Sequence, residues 1–201
     1  WQAITHPPTS PTWRKAGLSV PEDKKDRYGF LRPTEENFEA WELTAEICRT
    51  LRARICVVQC PPSFRFSQEN VENVRAFFSS VNRHGLFIAW EPRADWRQHM
   101  EVIEELCNEL DLIYVTDVLR HGLGPIGPVS YTRLHGLAPR EFDYRYKYTD
   151  EDLAKLLEIV VSLEDKGVQE AYVLFNNVYM ADDAERFIGL LRGEAPDLLR
   201  A

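Results

Sequence analysis

Several large functional classes leave marks that this chain does not carry. It has no apolar run near the roughly 18 residues of a membrane-spanning helix, and its N-terminus lacks the charged-then-apolar pattern of a secretory signal. No G-x-G-x-x-G or G-x-x-x-x-G-K-[ST] phrase follows any apolar run, which removes the phosphate-cradling loops of the common nucleotide binders. Neither H-x-H nor H-E-x-x-H occurs, so ligand spacing supports no metal and the cofactor is open. The four cysteines, Cys48, Cys56, Cys60 and Cys107, form no C-x-x-C pair. They read as reduced, mostly buried thiols of a cytoplasmic protein. A net charge of −8 gives no global field for phosphate backbones and disfavours nucleic acid as a partner.

What is present is ordinary for a globular chain: 201 residues, 44% hydrophobic and 28% charged. That length suits one domain or a piece of a larger single domain. The chain starts at Trp1 rather than Met, and the expectation is that further strand–helix material precedes it.

Six short apolar runs read as buried strands: QAITH (2–6), ICVVQC (55–60), LFIAWE (86–91), LIYVTD (112–117), VSYTRLH (129–135) and AYVLFNN (171–177). Near-continuous runs of this kind suit a parallel sheet covered on both faces. Helical patterns lie between most of them. Phe38, Trp41, Ala45 and Cys48 share one stripe; Val71, Val74, Phe77, Phe78 and Val81 share another, in a helix expected to end at Gly85. Thr149 and Asp152 have the spacing of a capping pair. Alternating strands and helices predict an α/β fold, and the expected form is a TIM-type (β/α)8 barrel lacking its first one or two βα units.

The carboxyl ends of the six runs share a property that their amino ends lack. They finish in Thr5 and His6; Gln59; Glu91, with Arg93 just after; Asp117; Arg133 and His135; Asn176 and Asn177. In parallel α/β folds these ends share one rim where sites are built. Each residue also has a structural alternative. His6 can cap a turn before Pro7-Pro8, Glu91 and Arg93 can pair only with each other, Asp117 can cap the next segment, and Asn176-Asn177 can form a turn. The segment 7–33 is too long for a simple connection. It reads as a lid, a binding loop or plain flexible surface, and its stretch from Trp13 to Arg32 carries six basic side chains against three acidic ones. Trp13, Tyr28, Phe30, Phe64, Phe66, Trp90, Trp96, Tyr144 and Tyr146 fall near the same ends, available for stacking or for core packing.

Five ordered phrases, "ITH", "QCPPSF", "WEPRADW", "YTRLHG" and "LFNN", resemble the YecE-like family, domain of unknown function 72. "THPPTSPTWRKAG" and "YGFLRPTEENFEAW" look like its archaeal branch. The resemblance implies a TIM-type barrel and leaves the reaction unassigned. Members usually begin with a Gly-rich "GTSGW"-like phrase that is absent here, and "EPR" retains Glu91 and Arg93.

Three functions follow as expectations. The first is an isomerase or hydrolase on a small phosphorylated or polyhydroxylated substrate. In it Glu91 or Asp117 is the general base, His135 the acid or electrophile, and Arg93 and Arg133 the anion clamp, with His6, Gln59, Asn176 and Asn177 as further ligand contacts. The second is a non-catalytic module that binds an anionic ligand. The third is a metal-assisted phosphodiester hydrolase on nucleic acid, with His6, Glu91, Asp117 and His135 as chemically acceptable ligands.

Overall fold

The run QAITH does not form a strand. In the computed structural model, which describes residues 2–140 and 144–199, Gln2–Thr5 is a single helical turn, α1. The carbonyls of Ala3, Ile4 and Thr5 accept from the amides of Gly29, Leu31 and Phe30, at 2.6, 2.9 and 3.1 Å. Their hydrogen-bonding capacity is met by a loop rather than by a strand ladder. A local apolar pattern cannot choose between those partners.

Segment 7–33 is partly ordered into helix. Ser10 accepts from the amide of Thr12 and caps α2 (Pro11–Lys15), and one 3₁₀ segment spans Glu22–Arg27. Helix α3 (Glu35–Thr50) buries Trp41 and Ala45 of its expected stripe, and leads to β1 (Ile55–Gln59). Helix α4 (Gln68–Ser80) follows, with Ser67 as its cap. It stops short of the expected Gly85. Val81 is already extended, Asn82 accepts from the amide of His84, and Gly85 (φ 81°) lies in the turn before the next strand. That strand is β2 (Phe87–Glu91); α5 (Met100–Leu110) comes after a 3₁₀ turn at Ala94–Gln98. Strands β1 and β2 pair in parallel from Ile55↔Phe87 to Gln59↔Glu91, which sets the last two side chains level. These elements belong to one compact unit, Trp1–Leu112, whose core includes Trp41, Phe77, Ile88, Trp90, Trp96 and Leu106.

The second unit, Ile113–Ala201, takes in β3 (Leu112–Thr116), α6 (Val118–His121), β4 (Val129–Leu134), α7 (Asp150–Asp165), β5 (Glu170–Phe175) and α8 (Met180–Glu194). Strand β4 pairs in parallel with β3 and with β5. Helix α7 carries the expected capping box of Thr149 and Asp152. Leu134, Phe175, Tyr148, Leu153, Leu156, Phe187 and Leu191 pack together as its core.

The expected eight-stranded barrel short of its first units is therefore corrected. The described residues form an α/β fold of five parallel strands, not six, and no closed barrel. Strand β5 shows part of the reason. It is apolar from Ala171 to Phe175, yet Leu174 is 37% exposed and Tyr172 is half-buried, so it is not covered on both faces as a strand inside a closed wall is. Among the described residues no helix is long and apolar enough to cross a membrane. All four cysteines are free thiols; Cys56, Cys60 and Cys107 are buried.

Candidate functional site

In the first unit, parallel pairing delivers Gln59 and Glu91 to the same level, and the amide of Cys60 donates to the carbonyl of Glu91 at 3.0 Å. Glu91 is buried, and one of its oxygens, Oε1, accepts from Nε and Nη2 of Arg93 at 2.9 and 2.6 Å. The pair is shielded from solvent, with side-chain exposures of 7% and 14%, where a charge-assisted bond is strong. The segment beyond Arg93 is tied down by two residues. Trp96 donates from Nε1 to the carbonyl of Phe64 at 2.9 Å and stacks on the Phe64 ring. Asp95 accepts from the amide of Phe66 at 2.8 Å, and that bond holds its carboxyl below the usual range. Phe64, Trp90 and Trp96 are fully buried and serve the core.

His6 is half-buried, and its Nδ1 lies 2.8 Å from Oγ1 of Thr5. Burial lowers its pKa below 6.5, and the positive charge of Arg93 lowers it further. The imidazole is therefore neutral at neutral pH. Cys60 accepts from Nε1 of Trp90, and burial pushes its thiol up to about 12, so it is no nucleophile.

The depressed pKa of His6 has a measurable sign. The unfolded chain takes up the proton first, so the stability His6 contributes is complete above about pH 6.5. It is lost as pH falls through the lower folded value. Urea midpoints of wild type and His6→Gln, compared between about pH 4 and 8, should converge on the acid side. Curves that stay parallel throughout would remove the burial assigned to this ring.

In the second unit Asp117 caps α6. Its Oδ1 accepts from the amide of Arg120 at 3.2 Å and its Oδ2 from the amide of His135 at 2.9 Å. Both oxygens thus serve backbone donors, and Asp117 positions the start of the turn that carries His135. The His135 side chain is buried, edge-on to Tyr144 with ring centres 6.1 Å apart. Gly136 (φ 92°) turns the chain; its amide donates to Oη of Tyr148 at 2.7 Å and its carbonyl accepts from Nη2 of Arg120 at 2.6 Å. Arg133 is half-buried and level with Leu174. Asn176 donates its amide to the carbonyl of Leu134. Asn177 is buried, and its Nδ2 donates to the carbonyl of Tyr146 and to Oδ2 of Asp183, at 2.8 and 2.7 Å. That bonding makes Asn177 a structural tie of the loop to α8.

Of the residues expected at a site, the structure thus pairs Glu91 with Arg93 in the first unit, with Gln59 level with Glu91, and ties His6 to Arg93 only through the charge that lowers its pKa. In the second it groups Asp117 with His135, and sets Asn176 beside the end of β4. Tyr148, Arg120 and Asp183, which shape the second group, carry no local sequence signal: each acts through a partner at least 12 residues away or on a loop. Among the described residues no three His, Cys, Asp or Glu side chains come together as metal ligands.

The model of a family described as a protein of unknown function, DUF72, matches residues 2–200. The chain is 30% identical to a DUF72 family protein of Thermotoga maritima, whose crystal structure superposes with a TM-score of 0.62 over 79% of this chain and 65% of that one. It thus spans just under two thirds of that protein's length. Two crystal structures of a DUF72 family protein of Enterococcus faecalis V583 bear on the fold alone. One is 23% identical, with a TM-score of 0.57 over 79% of this chain and 65% of that one. The other is 18% identical, with a TM-score of 0.58 over 92% and 73%. No curated protein matches the chain.

Proposed function

The chain belongs to the DUF72 family of proteins of unknown function, and on that premise we propose that His6 and Arg93, the latter oriented by Glu91, bind a small anion and carry out general acid–base chemistry on it. The observation that carries this reading is the buried pair in which one oxygen of Glu91 accepts from both Nε and Nη2 of Arg93; burial first, and then the charge of Arg93, disfavour protonation of His6. A guanidinium is a planar fork suited to phosphate or carboxylate. Glu91 orients it. His6 is neutral at working pH and can take a proton from the substrate and return it. An incoming anion offsets the repulsion between Arg93 and a protonated His6, so binding and proton uptake support each other. The substrate class that suits this group is a small phosphorylated or polyhydroxylated molecule undergoing isomerisation or hydrolysis.

The alternative of a non-catalytic anion receptor uses the same three residues without the proton transfer. Titration with inorganic phosphate, followed through the ring resonances of His6, tests the shared step. Phosphate should shift those resonances and raise the His6 midpoint. Arg93→Gln should weaken binding about 10- to 100-fold, as loss of charge-assisted bonds of about 1.5–3 kcal/mol implies. Phosphate that leaves His6 unmoved refutes the reading. Binding without turnover of sugar phosphates, in protein whose His6→Gln variant binds equally well, favours the receptor.

A further inference from the structure

His6 is held in place by a strained loop. Gly29, Phe30 and Leu31 are consecutive left-handed residues, with φ of 79°, 55° and 52°. Two non-glycine residues in that region persist only where the surroundings over-determine them, and such outliers cluster where a site must be held. The surroundings here are specific. Asn37, fully buried on α3, accepts from the amide of Gly29 at 3.3 Å and donates from Nδ2 to the carbonyls of Gly29 and Arg32, at 3.2 and 3.0 Å. The amides of residues 29–31 donate to the carbonyls of α1.

The product of these bonds is contact with His6. A Cβ on Gly29 would stand 2.6 Å from the nitrogen of Pro7 and 2.7 Å from the carbonyl carbon of His6, so the glycine lies directly on the His6–Pro7 peptide. The same peptide is gripped from α2, where Nε1 of Trp13 donates to the carbonyl of His6 at 2.9 Å and the Trp13 ring meets Tyr28 edge-on.

We propose that Asn37 and Trp13 are positioning residues for His6, clamping its peptide through the left-handed loop and α2 so that the imidazole is presented to Arg93. The proposal rests on the anion-binding reading of His6 and Arg93. It also assigns part of segment 7–33 a fixed duty: residues 13 and 28–32 form the mount of the imidazole. The groups that bear on the His6 ring are the hydroxyl of Thr5 on its own element and, beyond β2, Arg93 with its partner Glu91.

Two substitutions separate the hydrogen bonds from the packing. Trp13→Phe keeps a ring against Tyr28 and removes only the donor to His6; Asn37→Asp keeps the acceptor for Gly29 and removes both Nδ2 donations. The readouts are the NMR titration midpoint of His6 and the dissociation constant for inorganic phosphate. The other four histidines, His84, His99, His121 and His135, are internal controls. Released from burial and from Arg93, His6 should titrate nearer the ordinary imidazole value in both variants, phosphate affinity should fall tenfold or more, and the other four midpoints should hold. Folded variants in which His6 and phosphate affinity both stay within twofold of wild type overturn the proposal. Trp13→Phe alone decides the matter should Asn37→Asp fail to fold. A wild-type protein whose His6 ignores phosphate refutes the anion reading instead, and the clamp then stands or falls on the His6 midpoint alone.

Discussion

Gly29→Ala should lower the free energy of unfolding by about 3 kcal/mol, read as a fall in the urea midpoint at unchanged slope. Two costs add. A residue with a Cβ held at φ 79° loses about 1–2 kcal/mol relative to glycine. The new methyl group also meets backbone on arrival, 2.6 Å from the Pro7 nitrogen and 2.8 Å from the His6 carbonyl oxygen. Backbone cannot swing aside as a flexible side chain can, and overpacking of this kind typically costs about 1–3 kcal/mol. Gly17→Ala is a useful comparison. That residue is also left-handed, at φ 68°, but a Cβ there meets nothing within 4 Å, so only the conformational cost of about 1–2 kcal/mol applies. Equal losses for the two variants would mean that Gly29 does not touch the His6 peptide.

Trp96→Ala should cost about 3–5 kcal/mol, the range for emptying a buried aromatic site. Trp96 is fully buried, stacked on Phe64 at 5.4 Å and edge-on to Phe66 and Trp90 at 5.3 and 5.2 Å. Its removal also strands the carbonyl of Phe64. Trp96→Phe separates the terms, since it keeps most of the ring and loses the hydrogen bond at about 1–2 kcal/mol. The loss has a functional side. Trp96 joins the loop after β1 to the 3₁₀ turn after β2, and Arg93 is the residue immediately before that turn. Trp96→Ala should therefore weaken phosphate binding along with stability. An alanine variant as stable as wild type would show that the four-ring cluster carries no packing energy.

The segments that came out as read share one property: their signal is local. Helices α3 and α4 follow apolar spacing that a few turns contain, and the capping box of α7 needs only Thr149 and Asp152. Five apolar runs became β1 to β5 for the same reason. QAITH failed because so short a segment suits either a strand or a helical turn, and the choice was made by the amides of Gly29, Phe30 and Leu31, far off in sequence. Gly85 was misread as a helix end because a glycine signals a turn without saying which element the turn serves.

The polar residues divide in the same way. That His6, Glu91, Asp117 and His135 stand just at or beyond the ends of apolar runs is written in the order of residues alone. Their roles are not, because a carboxylate takes whichever donor the fold brings to it. Glu91 took the guanidinium two residues on and Asp117 the amide of Arg120, local pairings the sequence already offered, while tertiary structure added the amide of His135 to Asp117. It likewise made Asn37, an unremarked polar residue inside a helix, the organiser of a strained loop. The sequence by itself determined the alternation of helix and strand and the polarity of the strand tips, since both depend on near neighbours. Only the folded chain decided the number of strands and the partners that lie far off in sequence, because hydrogen bonds between distant residues are chosen by proximity in space.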